Sequence, residues 1–257
     1  MSVIINICNQ ILKRGRSLVI LNKILRRGLI KKFDKTKYRK WLDSNKIPLD
    51  KFLESLNKSL FLESNYVHNE IIANSKLKLK KIGVKLGGGA SDKLLYFIVR
   101  FIKPNIVLET GVAAGFSSIS ILKALKKNNS GKLYSSDFPY FRIKNPEKYI
   151  GILVDRKKFP DWNLQIEGDM INIPKFVKNF EKIDLFHYDS DKTYIGKSKV
   201  YNIIKKKISK KSILIFDDIQ DDLFFYEIQL KSNLDSWVFK FKNKYIGMLG
   251  KFNNYEN

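Results

Sequence analysis

The chain holds one cysteine, Cys8, and two histidines in 257 residues. A single thiol excludes an intrachain disulfide framework and any Cys-rich zinc site, so a reducing compartment, the cytoplasm by default, is the expected setting. No apolar run approaches the roughly 20 residues of a membrane span. The N-terminus lacks an uninterrupted apolar segment followed by a small-residue cleavage site. The expectation is a protein that is neither integral to a membrane nor secreted. Acids are also scarce, 25 Asp and Glu against 49 Lys and Arg, which leaves a formal charge of +24. Hydrophobic residues are not scarce: at 44%, with 13% aromatics, they exclude a disordered chain. The length suits one α/β domain with an N-terminal extension.

A field of that charge concentrates polyanions. Lysine is abundant here together with isoleucine and asparagine, however, and that combination also arises from compositional drift on a solvated surface. The excess is densest before residue 40, where Lys13, Arg14, Arg16, Lys23, Arg26, Arg27, Lys31 and Lys32 face only Asp34. Ile11, Leu18, Leu21, Leu25 and Leu29 recur there at helical intervals. This reads as a basic amphipathic helix. Two fates are open to it: a peripheral contact with an anionic membrane surface, or packing against the main domain or a second subunit. Residues 41–80 read as further helices, with Asp50 or Ser55 as caps and Pro48 as a break. The domain reading is a basic helical extension over 1–80 and the main domain over 81–257. Between them Gly87, Gly88 and Gly89 mark a flexible joint, a lid or a linker. It is not a Walker A loop, since no Gly-Lys-Ser/Thr follows.

From residue 91 the pattern becomes regular. Ser91 caps a helix through Phe101, and Ile106–Thr110 is a short apolar strand. Phe116–Lys127 is helical, Leu133–Asp137 and Leu164–Glu167 are strands, and Ile173–Phe180 is helical. Asp184–Asp189 is a strand, Tyr194–Ile208 a helix, Ile213–Asp218 a strand and Asp222–Leu230 a helix. Buried strands alternating with helices predict a doubly wound, mostly parallel α/β sheet. Trp237–Phe241 and Tyr245–Phe252 around Asn243-Lys244 predict an antiparallel C-terminal hairpin.

The run Val107-Leu108-Glu109-Thr110-Gly111-Val112-Ala113-Ala114-Gly115 sets an acid at a strand end, then small residues, then a helix. Gly111 permits a tight turn, and the helix N-terminus offers free N–H donors. Asp137, ending the next strand, stands where a carboxylate accepts hydrogen bonds from ribose hydroxyls. The spacing departs from Gly-x-Gly-x-x-Gly, which counts against NAD. Carboxylates also favour a cofactor that bears an ammonium and a sulfonium.

The run VLETGVAAGFSSISILKAL followed by GKLYSSDFP resembles motif I and the second-strand acid of class I S-adenosylmethionine-dependent methyltransferases, in particular the O-methyltransferase branch of methyltransferase family 24. The similarity runs from about residue 104 to 250 through IEGDM, IDLFHYDSDKTY and SILIFDDI. It implies a Rossmann-like seven-stranded sheet and a cofactor held by Glu109, Gly111, Gly115 and Asp137, with Asp169 beside the adenine.

Asp189 ends the fourth strand of this pattern, and Asp217 and Asp218 end the fifth. Carboxylates converging there repel unless a cation compensates, and oxygen ligands suit Mg²⁺ or another hard divalent ion. Such an ion would lower the pKa of a substrate hydroxyl. The arrangement resembles catechol-type and macrocin-type O-methyltransferases. The macrocin-type Asp-x-Asp is matched by Asp189-Ser190-Asp191, which makes Asp191 the candidate base, beside Asp189. Many family relatives carry a histidine where this chain has Lys192, and His187 lies one place too early to replace the first one. His187 reads as a satisfied core residue and Lys192 as a solvated charge. The expected activity is methyl transfer to a hydroxyl of a sugar, a glycan or another small molecule. Two alternatives stay open, a nucleic-acid methyltransferase and a non-catalytic relative that binds a membrane or partner through its basic helix. No Asp/Asn-Pro-Pro-Tyr/Phe tetrapeptide supports the former. Homo-oligomer formation is also left open.

Overall fold

A computed structural model describes residues 2–13, 16–17, 19–21, 25, 33–84, 86 and 91–255. The predicted positions Leu18, Leu29 and Gly87–Gly89 lie outside the described residues. Eight strands form one sheet in the order β1-β7-β8-β6-β5-β2-β3-β4. They are β1 (Lys46–Ile47), β2 (Ile106–Thr110), β3 (Lys132–Ser136), β4 (Asn163–Gln165), β5 (Ile183–Tyr188), β6 (Ile208–Phe216), β7 (Asp235–Phe241) and β8 (Lys244–Gly250).

The inner strands are parallel, β4 on β3, β3 on β2, β2 on β5 and β5 on β6, while β8 runs antiparallel to both β6 and β7. The predicted doubly wound sheet and C-terminal hairpin are both present. The strand count changes from seven to eight because Lys46 and Ile47 pair in parallel with Val238 and Phe239 at the sheet edge. Two residues following a helix carry too little periodicity to be read as a strand.

Helices fill both faces. In chain order they are α1 (Ser2–Ile11), α2 (Lys35–Asn45), α3 (Leu49–Leu56), α4 (Lys58–Ile82), α5 (Asp92–Ile102), α6 (Phe116–Asn128), α7 (Asp169–Val177), α8 (Tyr194–Ile204) and α9 (Phe224–Lys231). Pro48 stands at the N-cap of α3, where its missing N–H costs nothing. The cap of α4 is Asn57, whose side chain accepts from the Leu60 N–H, so neither Asp50 nor Ser55 caps a helix. One core joins α3, α4, α5 and α6 to one sheet face through Leu53, Ile71, Phe97, Ile121, Leu185 and Ile215. The other joins α2, α7, α8 and α9 to the opposite face through Leu42, Phe176, Phe186, Val200, Phe216 and Phe225. β5 is buried at all six positions, Asp184 and His187 included, as suits an inner strand covered on both faces. Among the described residues, no helix is long and apolar enough to cross a membrane.

Candidate active site

Each parallel strand hands its chain to a loop at the same edge, and neighbouring backbones stitch those loops together. Gly111 N donates to Ser136 O (2.9 Å), Asp137 N to Gln165 O (3.0 Å), Asp189 N to Thr110 O (2.9 Å) and Asp217 N to Tyr188 O (2.9 Å). Glu109, Gly111, Asp137, Asp189, Asp217 and Asp218 are therefore neighbours at the carboxyl edge, the ligand-binding edge of an open α/β sheet.

The loop from Gly111 to Gly115 is built on positive φ: +83° at Gly111, +49° at Ala113 and +100° at Gly115. At Gly111 a Cβ would sit 2.1 Å from the Asp189 carbonyl oxygen, so only glycine lets the two backbones approach. Asp137 reaches into this loop. Its Oδ2 accepts from Val112 N (3.1 Å) and Ala113 N (2.7 Å), and its Oδ1 from Phe138 N (2.6 Å). The carboxylate predicted to hold ribose thus also fixes the turn beside it. Asp169, the first residue of α7, accepts from Ser136 Oγ (2.7 Å) and Ser190 Oγ (2.5 Å), which ties the start of α7 to the end of β3 and to the loop after β5.

Glu109, at the same edge, turns its side chain inward. Its carboxylate has no exposed surface; Oε2 accepts from Ser118 Oγ (2.7 Å) and Ser135 Oγ (2.6 Å). It supports the loop from beneath and presents no open face to a ligand. His187, fully buried, stands between two carboxylates: Nδ1 is 3.8 Å from Glu109 Oε1 and Nε2 is 3.8 Å from Asp217 Oδ1. These separations are too long for hydrogen bonds, and Glu109 Oε1, both His187 nitrogens and both Asp217 oxygens lack hydrogen-bond partners. Charge is what links them. Burial alone would lower the His187 pKa, but Asp217 and Glu109 outweigh it and raise it to about 10. Burial would likewise raise Glu109, and the imidazolium and serine hydroxyls outweigh it and hold its pKa low. His187 is a core residue as expected, though balanced by charge instead of satisfied by hydrogen bonds.

The expected metal ligands fare differently. Asp218, buried in a left-handed backbone conformation at φ +52°, is paired with the Lys192 ammonium and with Lys244 (3.3 Å). Asp217 turns toward His187. Burial, followed by the negative charge of Asp217, pushes Asp189 up to about 8. Among the described residues no three or more His, Cys, Asp or Glu side chains are grouped to hold a metal ion. The donor set does not fit a divalent cation as arranged, because the chain's own lysines and imidazolium already supply the compensating charge.

Asp191 accepts through Oδ1 from Thr193 N (3.1 Å) and Thr193 Oγ1 (2.8 Å), while Thr193 Oγ1 caps α8 at Gly196 N (3.1 Å). A Cβ on Gly196 would lie 2.4 Å from Asp191 Cγ, so this side chain packs on the first turn of α8. Lys244 and Lys197 escaped the sequence reading, and Lys192, expected as a solvated charge, is paired with Asp218. Lys192 and Lys244 face Asp218, and Lys197, almost fully buried, donates to Asp222 Oδ2 (2.9 Å) and Asp218 O (3.0 Å). In a chain this rich in lysine, their type carried no signal.

Residues 108–219 match methyltransferase family 24, described as a methyltransferase domain. No curated protein matches the chain. Solved structures resemble it in fold. An O-methyltransferase from Bacillus cereus in complex with S-adenosylhomocysteine is 14% identical, with a TM-score of 0.52 over 82% of this chain and 100% of that one. The S-adenosylhomocysteine-bound Podospora anserina methyltransferase PaMTH1 is 11% identical, with a TM-score of 0.52 over 89% and 99%. A methyltransferase from Geobacter sulfurreducens is 14% identical, with a TM-score of 0.51 over 70% and 89%. In its sheet order, its glycine loop and the acid ending the next strand, the chain shares the fold of these solved methyltransferases, and its residues 108–219 are similar to the methyltransferase domain of that family.

Proposed function

We propose that the protein is an S-adenosylmethionine-dependent O-methyltransferase acting on a hydroxyl of a sugar, a glycan or another small molecule. One observation carries the reading: Asp137, ending β3, is held against the backbone N–H groups of a loop whose positive φ angles let Gly111 and Gly115 approach closely. That cradle suits a nucleoside cofactor, and the acids around it suit a cationic one.

Bound there, S-adenosylmethionine supplies an electrophilic methyl group on a sulfonium. Asp137 would hold the ribose, Gly111 and Gly115 would give room for the methionine half, and Asp169, at the start of α7, would lie beside the adenine. Glu109 acts from below through Ser118 and Ser135, holding α6 and β3 at the loop's spacing. Orientation of the acceptor toward the methyl group accounts for much of the rate.

Asp189 is the base of this proposal. With its pKa raised to about 8 it binds a proton more strongly than an ordinary carboxylate, and a nearby positive charge returns it to the ionised form. It then takes the hydroxyl proton as the acceptor oxygen attacks. Asp191 is assigned to positioning, since its carboxylate holds the entry to α8. Lys192 and Lys244 keep Asp218 neutralised beside it, and no step is routed through a metal. Substituting Asp189→Asn tests the assignment: about a hundredfold or greater loss of turnover is expected, with cofactor affinity kept. Unchanged turnover on a hydroxyl acceptor overturns it.

A further inference from the structure

Helix α1 has two unlike faces. On the inner side Gln10 is buried, Asn6 Nδ2 donates to Arg142 O (3.2 Å), and Lys13 and Arg16 both pair with Glu147. Just beyond the helix, Ile20 is buried with Phe138 and Phe141, and Ile7 and Val19 pack against them. The segment is therefore seated on the loop that follows Asp137, with Arg16 stacked over Phe138 at 5.9 Å. The outer side is different. Ile4 (68% exposed), Ile5 (53%), Cys8, Ile11 (40%) and Leu12 (83%) face water at positions i, i+1, i+4, i+7 and i+8, one continuous helical stripe. Leu21 and Leu25 are exposed further along.

An aliphatic stripe of this kind is an interaction surface, and the charge around it selects the partner. Residues 1–33 hold eight Lys and Arg and no Asp or Glu. A second copy of this arm would bring eight like charges against eight. A polynucleotide would match the charge but gain nothing from isoleucine and leucine. A bilayer with anionic headgroups matches both, taking the aliphatic stripe into its interface and attracting the net positive charge of the segment.

We propose that α1 docks the protein on an anionic membrane surface through Ile4, Ile5, Ile11 and Leu12. The inference does not depend on the methyl-transfer reading. Because the inner face is seated beside Asp137, docking would hold the carboxyl edge of the sheet close to the headgroups.

The test is co-sedimentation of the full chain with vesicles of phosphatidylcholine alone and of phosphatidylcholine mixed equally with phosphatidylglycerol. Binding is expected only to the anionic vesicles, weakening as salt rises. Ile4→Asn with Leu12→Asn should weaken it by about tenfold or more, since each loses a buried aliphatic side chain. Ile5→Asn with Ile11→Asn should do the same, and both pairs should unfold thermally as the wild type does because the altered side chains face water. No binding to anionic vesicles overturns the proposal. So does binding unchanged in both variants, which would leave charge alone as the cause. A wild-type dimer that these variants render monomeric, without vesicle binding, would assign the stripe to a second copy instead.

Discussion

Replacing His187 with Gln removes the cation that lies between Glu109 and Asp217 while roughly preserving volume. Each carboxylate lies 3.8 Å from the ring, where an attraction of about 4 kcal/mol follows at an effective dielectric near 20. The variant cannot lose all of that, because a stranded carboxyl can take up a proton instead. Protonating one glutamate at pH 7 costs about 4 kcal/mol, given roughly 1.4 kcal/mol per pKa unit and an ordinary pKa near 4.3. The expected loss of folding stability at pH 7 is therefore about 4 kcal/mol, within the range for breaking a buried ion pair. At pH 5 the same uptake costs about 1 kcal/mol, so the loss should shrink. Urea unfolding at pH 5 and pH 7 measures both, and His187→Gln combined with Asp217→Asn should recover part of the loss. In the wild type the raised imidazole contributes fully below about 6.5 and loses its contribution as pH approaches about 10. A loss below about 1 kcal/mol at pH 7, or one equal at both pH values, would refute the charge balance and leave only packing.

Three further outcomes follow from the same geometry. Gly111→Ala should cost at least about 1–3 kcal/mol from backbone strain alone, because its Cβ would meet the Asp189 carbonyl at 2.1 Å; urea unfolding reads the cost. If Asp189 is the base, the pH–rate profile should rise toward an apparent pKa at or below about 8, and Asp189→Asn should flatten that limb. With Lys192 and Lys244 on Asp218, a chelator should leave methyl transfer unchanged, whereas a loss restored by Mg²⁺ would return Asp218 to a metal.

Much of the fold was legible because 106–110, 184–189 and 213–218 are mostly apolar stretches too short for helices, each with an acid at or beside its end. The hairpin was legible from two strand-like runs around Asn243-Lys244. The edge strand Lys46–Ile47 was not, since only its pairing with Val238 and Phe239 makes it a strand. At the site, sequence placed Gly111, Gly115, Asp137, Asp189, Asp217 and Asp218 at one edge, and there they lie. It could not say which way side chains turn. Glu109 and Asp217 point inward at His187, Asp191 turns onto α8, and Lys192 folds back on Asp218. Those directions are set by packing between loops distant in sequence, where single-residue types carry no record of the partner.

The central claim is the cofactor cradle, and calorimetric titration with S-adenosylhomocysteine tests it most directly. The wild type should bind with micromolar-class affinity, roughly 8 kcal/mol, with or without Mg²⁺, and Asp137→Ala should weaken binding by about a hundredfold or more, near 3 kcal/mol. Absence of binding to the folded wild type in either condition, or equal binding by the folded variant, would contradict it.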